Sequence, residues 1–185
     1  MNPPEASSTA ARLCAACGLC CNGVMFHHVR MQPGDAPKEL AALGLKLKRK
    51  KGENYLLQPC PQYQCSQCAI YAARPVRCRL FECRQLKRVA AGEITEGMAQ
   101  DKIRDAKQRV ALVEALLARS GRTDGKRPLS KRCEKIMAEP LDPSSDRETV
   151  ALRHQLTHAM QELETVLNEA FRLPRVPPAA SSLPE

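Results

Sequence analysis

The sequence contains no tryptophan and only three tyrosines and three phenylalanines in 185 residues, so a core built on large rings is not available to it. No window approaches 18 consecutive apolar residues, which excludes a membrane-spanning helix. The opening MNPPEASSTAARLCAAC lacks a basic start followed by an apolar run. It does not read as a secretory signal, and the expected location is cytoplasmic, with no membrane partner. Acidic residues are scarce in one half: residues 1–92 hold 14 Lys and Arg against 5 Asp and Glu, whereas residues 93–185 hold 15 of each. The whole formal charge of +9 therefore lies in the first half.

Cysteine is what the chain has in abundance. Nine of its 10 cysteines fall between residues 14 and 83, together with Phe26, Tyr55, Tyr63, Tyr71 and Phe81. That stretch is too short to rely on apolar burial alone, and cysteine chemistry has to staple it. A cytoplasmic chain keeps its thiols reduced, and the adjacent Cys20 and Cys21 form an awkward disulfide framework, so the clustered thiols point to metal. The basic excess has two readings. A polyanionic partner such as nucleic acid is the general one. Lys and Arg that balance thiolates gathered at a metal are the other, and it is favoured because charge and cysteines share the same half.

The first cluster, CAACGLCC, spaces Cys14, Cys17 and Cys20 by two residues each, with Cys21 directly after. Repeated C-x2-C spacing lets sulfurs converge on one centre through turns, and Gly18 relieves crowding there. The C-x2-C-x2-C opening resembles iron–sulfur ligation of the ferredoxin type but lacks the x3-Cys-Pro that completes it; zinc is normally held by two separated C-x2-C knuckles. A fourth ligand must come from Cys21 or from far along the chain. The second cluster, PCPQYQCSQCAIYAARPVRCRLFEC, supplies Cys60, Cys65, Cys68, Cys78 and Cys83. In it Pro75 is expected to stop a helix beginning near Ala69.

Taken together, CAACGLCC, then Pro59-Cys60, then Cys68, Ile70, Tyr71, Arg74, Pro75, Cys78, Arg79, Phe81 and Cys83 resemble the CxxCxxCC cysteine-cluster family, also called YkgJ-type, a zinc- or iron-chelating domain. The resemblance covers about residues 12 to 85. It implies eight metal ligands: Cys14, Cys17, Cys20, Cys21, Cys60, Cys68, Cys78 and Cys83. It leaves Cys65 as an extra thiol, although Cys65 competes with Cys68 for one place. The cofactor expected is an iron–sulfur cluster of the 4Fe–4S type, with zinc as the alternative, at one site or two. Relatives that methylate flagellin lysines carry a similar cluster. A cluster-dependent enzyme using S-adenosylmethionine or redox chemistry is therefore an alternative function, as is a basic RNA- or protein-binding adaptor. No GxGxxG or P-loop pattern for a nucleotide-like cofactor is present.

Outside the cysteines the pattern predicts ordinary elements. Leu45, Leu47, Tyr55 and Leu57 alternate with polar positions around Lys51-Gly52 or Gly52-Glu53, which reads as a β-hairpin with lysines on its wet face. Ile103, Ala106, Val110, Val113 and Leu117 form one helical stripe, and Leu152, Leu156, Ala159, Leu163, Val166 and Ala170 form another, started by a Ser145–Glu148 capping box. A short helix is expected around Lys131 to Ala138, and Cys133 reads as a free thiol outside the cysteine domain. His27 and His28 are near enough in sequence to be ligands, but eight thiols already fill two sites; His154 and His158 read as surface residues.

The expected fold is a small irregular metal-stapled α+β cysteine domain, with short helices and a β-hairpin, followed by an antiparallel two-helix arm. It is mostly α overall. The division expected is a disordered N-terminus over 1–11, the cysteine-cluster domain over 12–92, a helical hairpin over 93–173 and a disordered tail over 174–185. The helical arm is the surface expected to meet a protein partner.

Overall fold

A computed structural model describes residues 8–121, 124–140 and 146–174. The chain opens with helix α1, Thr9–Cys17, because Ser8 caps it: the Ser8 hydroxyl accepts from the Ala11 amide at 3.2 Å. Residues 9–11, assigned to a disordered N-terminus on composition, are thus its first turn. The helix ends at Gly18, whose φ of 68° is the left-handed conformation that glycine adopts without strain.

A three-stranded antiparallel sheet follows, made of β1 (His28–Arg30), β2 (Leu47–Lys50) and β3 (Glu53–Leu57) in the order β1-β3-β2. The expected hairpin is β2–β3. Its two-residue turn is Lys51-Gly52 with φ of 50° and 81°, the combination whose twist suits a tight hairpin. The third strand, β1, was not evident in the sequence. Helix α2, Pro37–Ala42, starts on a proline already held at helical φ. Its Leu40 meets Leu45 and Leu56 in a small satellite core under one face of the sheet.

The second cysteine cluster is folded as a ribbon and two short helices. Strands β4 (Tyr63–Gln64) and β5 (Gln67–Cys68) pair antiparallel, and helices α3 (Val76–Leu80) and α4 (Arg84–Ala90) follow. Pro75 begins a helix here and ends none: it is the N-cap of α3, and residues 69–75 form turns and irregular chain. A proline lacks the N–H that a first turn leaves unpaired anyway, so it suits a start as well as a stop.

Both predicted stripes are helical. Helix α5 runs Glu96–Arg119, α6 Leu129–Ala138 and α7 Arg147–Val166, continued by a π-helical turn over Leu167–Phe171. Arg109 pairs with Glu162, and Arg119 pairs with Glu148, so α5 and α7 lie antiparallel. Asp146 is the cap of α7, accepting from the Thr149 amide at 2.7 Å; Ser145, the expected cap, lies outside the described residues. The wider π turn brings Leu167, Ala170 and Phe171 to the buried side.

The main core is continuous across the two halves. Leu13, Leu19, Val24, Met25 and Leu86 pack with Ala99, Ile103, Val113 and Leu117 of α5, Leu129 and Cys133 of α6, and Leu156, Leu163 and Phe171 of the last helix. Cys133, expected outside the cysteine domain, is fully buried in this core, where a free thiol behaves as a small apolar side chain. Among the described residues no helix is long and apolar enough to cross a membrane.

Candidate metal centre

Helix α1 carries Cys14 and Cys17 on one face, since three residues is close to one helical turn. The left-handed Gly18 then bends the chain. The amides of Cys21 and Asn22 donate back to the Gly18 carbonyl at 2.9 and 3.0 Å, a tight turn that holds Cys20 and Cys21 beside the helix end. Leu13 and Leu19, each 1% exposed, anchor the two sides of that turn in the main core.

The second cluster is brought to the first by backbone. The Cys60 amide donates to the Cys21 carbonyl at 2.8 Å, and the Tyr63 amide donates to the Cys60 carbonyl at 3.0 Å. Tyr63 pairs with Cys68 across the ribbon. Its phenol lies against Gly18: a Cβ at Gly18 would fall 1.8 Å from the Tyr63 hydroxyl. Glycine is needed here for both the turn and the ring. Cys78 lies on α3, which is tied down by Asp35: one carboxylate oxygen accepts from the Val76 amide at 2.8 Å and the other from the Gln32 amide at 2.7 Å. Cys83 is the N-cap of α4.

Packing and charge sort eight thiols into two sets. Cys17, Cys20 and Cys83 rest on the main core, whereas Cys60 and Cys78 rest on the satellite core. Burial pushes the Cys17 thiol up to about 12, with repulsion from Cys83 and Cys14 adding to it, and holds Cys20 well above the usual range beside Cys17, Cys21, Cys83 and Cys14. Cys14 is raised by burial and then by Cys83. In the other set burial pushes Cys21 up to about 12, helped by Cys60, Cys68 and Cys78. It pushes Cys78 up to about 11, helped by Cys60 and Cys68, and raises Cys60, helped by Cys68. By these neighbours Cys14, Cys17, Cys20 and Cys83 form one group and Cys21, Cys60, Cys68 and Cys78 another, with Cys21 also acting on Cys20. The boundary runs through the peptide bond between Cys20 and Cys21, and Cys14 lies near enough to Cys21 to add to its shift.

Cys65 stands apart. It sits with Ser66 at the exposed tip of the ribbon, both at positive φ (47° and 62°), while Cys68 faces the second set. The histidines also stand apart from the thiols. His27 Nε2 is 2.7 Å from the Ser130 hydroxyl on α6, and the His28 ring meets Tyr55 edge-on at 5.0 Å.

Two cations face the thiols. Arg74 stacks on the Tyr71 ring, 3.5 Å from its centroid, and donates from Nε to the Tyr71 carbonyl at 2.8 Å. Its charge favours ionisation of Cys14 in one set and Cys78 in the other. Lys107 of α5 donates to the Ala16 carbonyl at 3.1 Å and favours ionisation of Cys17. Tyr63 lies between the sets, its hydroxyl raised by burial and further by Cys21 and Cys17. The sequence did not single out Lys107, because nothing in a helical pattern tells that one of its cations faces a thiol on another element.

The donor chemistry fits zinc or iron, since all eight groups are soft thiols in sets of four. As the side chains stand, no three His, Cys, Asp or Glu residues among those described are arranged to hold a metal ion. Burial raises Cys14, Cys17, Cys20, Cys21, Cys60 and Cys78, so these thiols hold their protons until a cation replaces them.

A family model for CxxCxxCC, described as "putative zinc- or iron-chelating domain", matches residues 13–109. That span contains all eight thiols and the first half of α5. No curated protein and no solved structure matches the chain.

Proposed function

Since the chain belongs to the CxxCxxCC zinc- or iron-chelating family, we propose that it is a metal-binding protein with two four-thiolate sites, Cys14, Cys17, Cys20 and Cys83 at one and Cys21, Cys60, Cys68 and Cys78 at the other. The observation that carries this reading is that Cys17, Cys20 and Cys83 rest on one core and Cys60 and Cys78 on the other, with Cys21 set beside Cys60 by the hydrogen bond from the Cys60 amide to the Cys21 carbonyl. In two-cluster ferredoxins the last cysteine of a C-x2-C-x2-C-x3-C run likewise serves the other cluster. The first set combines a C-x2-C-x2-C run with one remote cysteine and is assigned an iron–sulfur cluster of the 4Fe–4S type. Zinc is the second reading, favoured at the second set, whose cysteines are spread over three segments without such a run.

When bound, the metal supplies the positive charge that lets buried thiols ionise. The chain does the rest. The Gly18 turn and the Tyr63 ring hold the two ligand segments side by side, Leu13 and Leu19 keep water from the back of the first set, and Arg74 and Lys107 offset charge that the metal leaves over.

Anaerobic purification followed by iron, sulfide and zinc analysis tests the reading. Cys17→Ser and Cys78→Ser should each remove one site and leave the other, with distinct spectra if the first site holds a cluster. A chain that carries neither metal and keeps its fold after chelation overturns metal binding. If either single variant empties both sites, the two-site division fails.

A further inference from the structure

The solvent face of the three-stranded sheet is not used by the metal reading. Register fixes what lies on it: Arg30, Tyr55 and Lys48 stand opposite one another across the three strands, with His28 opposite Leu57 and Lys50 opposite Glu53. Residues directly opposite in antiparallel pairs share a face, and successive residues alternate. Val29, Leu56 and Leu47 therefore face the satellite core, and the row Arg30–Tyr55–Lys48 faces out.

Charge on this face is unbalanced. Lys46, Lys48 and Lys50 lie on it and Lys51 lies at the turn beside it; all four are exposed, and none has an acidic ion-pair partner among the described residues. Glu53, the acid of the hairpin, is taken by Arg30 and by the Tyr55 hydroxyl, the latter at 2.6 Å. Lysines on β2 also guard an open strand edge, but that role asks for charge on one edge alone. It does not ask for an aromatic ring on the central strand, Tyr55, set between Arg30 and Lys48 and in edge contact with His28 at 5.0 Å. Alternate residues of a strand stand about 6.6 Å apart, so Lys46 and Lys48 present cations in a row beside the half-buried Tyr55 ring.

We infer that this face binds single-stranded nucleic acid, with the β2 cations taking successive phosphates and the Tyr55 ring taking a base. A repeating anion matches the row of unpaired cations, and a flat ring between cations is the platform on which unpaired bases stack. Duplex is disfavoured, because its bases are not free to stack on the ring. The sheet needs no metal ion for this contact, so the inference stands apart from the two-site reading.

The test is fluorescence polarisation of a labelled oligouridylate with the full chain at rising salt. With about three phosphates contacted, the log–log salt slope is about −2, a loss of roughly 20-fold in affinity between 50 and 200 mM salt. Lys46→Gln with Lys48→Gln should flatten the slope by about 1.4, and Tyr55→Ala should weaken binding about tenfold while leaving the slope unchanged. Tyr55→Phe, which keeps the ring, should bind as the parent does. If the parent shows no binding at low salt, or if duplex of the same length binds equally and Tyr55→Ala is silent, the inference is overturned. Unchanged binding by the lysine variant, with its circular dichroism intact, also overturns it.

Discussion

The two halves of the chain hold nearly equal numbers of cations, 14 and 15, but they treat them differently. In the helical half the cations meet carboxylates: Arg109 reaches Asp105 and Glu162, Arg119 reaches Glu148, Lys131 reaches Glu134 and Arg132 is held in a fork by Glu114. In the cysteine half the β2 cations have no such partners among the described residues, and Arg74 faces thiols. The helical half spends charge on its own surface and is held by an apolar seam. The cysteine half pairs Arg12, Arg30 and Arg88 with Glu96, Glu53 and Glu93 but leaves its hairpin lysines without carboxylate partners among the described residues, and it has little apolar seam of its own, its satellite core being built on Leu40, Leu45 and Leu56.

The sharpest way to break that comparison is to take the metal away. Structural zinc contributes on the order of 10–16 kcal/mol in small thiol sites, more than the satellite core supplies. Under anaerobic chelation, amide exchange should rise through residues 14–83 while the centres of α5 and α7 keep their protection. Uniform loss over the whole chain would mean that the shared core, and not the metal, sets stability in both halves.

Acid should separate the halves next. Every thiol that binds metal gives up a proton, and the pKa values of Cys17, Cys21 and Cys78, pushed up to about 12, 12 and 11, mean that these three are protonated at neutral pH when metal is absent. The metal-free state therefore holds more protons than the loaded state, so loading weakens as pH falls. Four protons per site correspond to about 5 kcal/mol per pH unit, against which the helical pair has no comparable group. A chromophoric chelator should draw metal far more readily at pH 6 than at pH 8, with helical circular dichroism retained. A flat response would remove the thiols from the site.

Much of this contrast was legible in the sequence, and the parts that were not have physical reasons. The α5 and α7 stripes and the β2–β3 hairpin announce themselves because periodicity repeats over many residues and Gly52 marks the turn. Strand β1 has three residues, too few for alternation to register. The β4–β5 ribbon turns on Cys65 and Ser66, residues that carry no turn signal at positive φ, so neither the ribbon nor the separation of Cys65 from Cys68 could be read in advance. The eight cysteines are visible by type and spacing. Their sorting into two sets is not, because Cys20 and Cys21 are adjacent in sequence and part only when the Gly18 turn and the Cys60–Cys21 hydrogen bond are formed. Likewise, the burial of Cys133 follows from α6 packing on α7 and could not be seen in its charged surroundings.

A core deletion in the helical half should have a smaller effect and a narrower one. Leu163 is fully buried between the long helices, and Leu163→Ala should cost about 2–5 kcal/mol in thermal or denaturant unfolding. Its metal content should stay that of the parent at temperatures below the transition. If metal is lost in proportion, the two halves are one cooperative unit, and the continuity of Leu13 and Leu19 with α5 outweighs the difference in how each half is held.

The smallest effects test the charge contrast directly, because there the two halves differ in sign. Asp105→Asn removes an i,i+4 partner of Arg109 and should lower stability by about 0.3–0.5 kcal/mol at low salt, an effect that added salt erases. Lys46→Gln with Lys48→Gln removes two exposed like charges from one face and should raise stability by a few tenths of a kcal/mol under the same conditions, since no favourable pair is lost. Differential scanning calorimetry of both variants at about 10 mM and 500 mM salt reads the two signs side by side. A loss in the lysine variant would show that its cations stabilise the hairpin itself, and their freedom to bind phosphate would go with it. A gain identifies cations that the fold does not need, held on a face where no carboxylate among the described residues satisfies them.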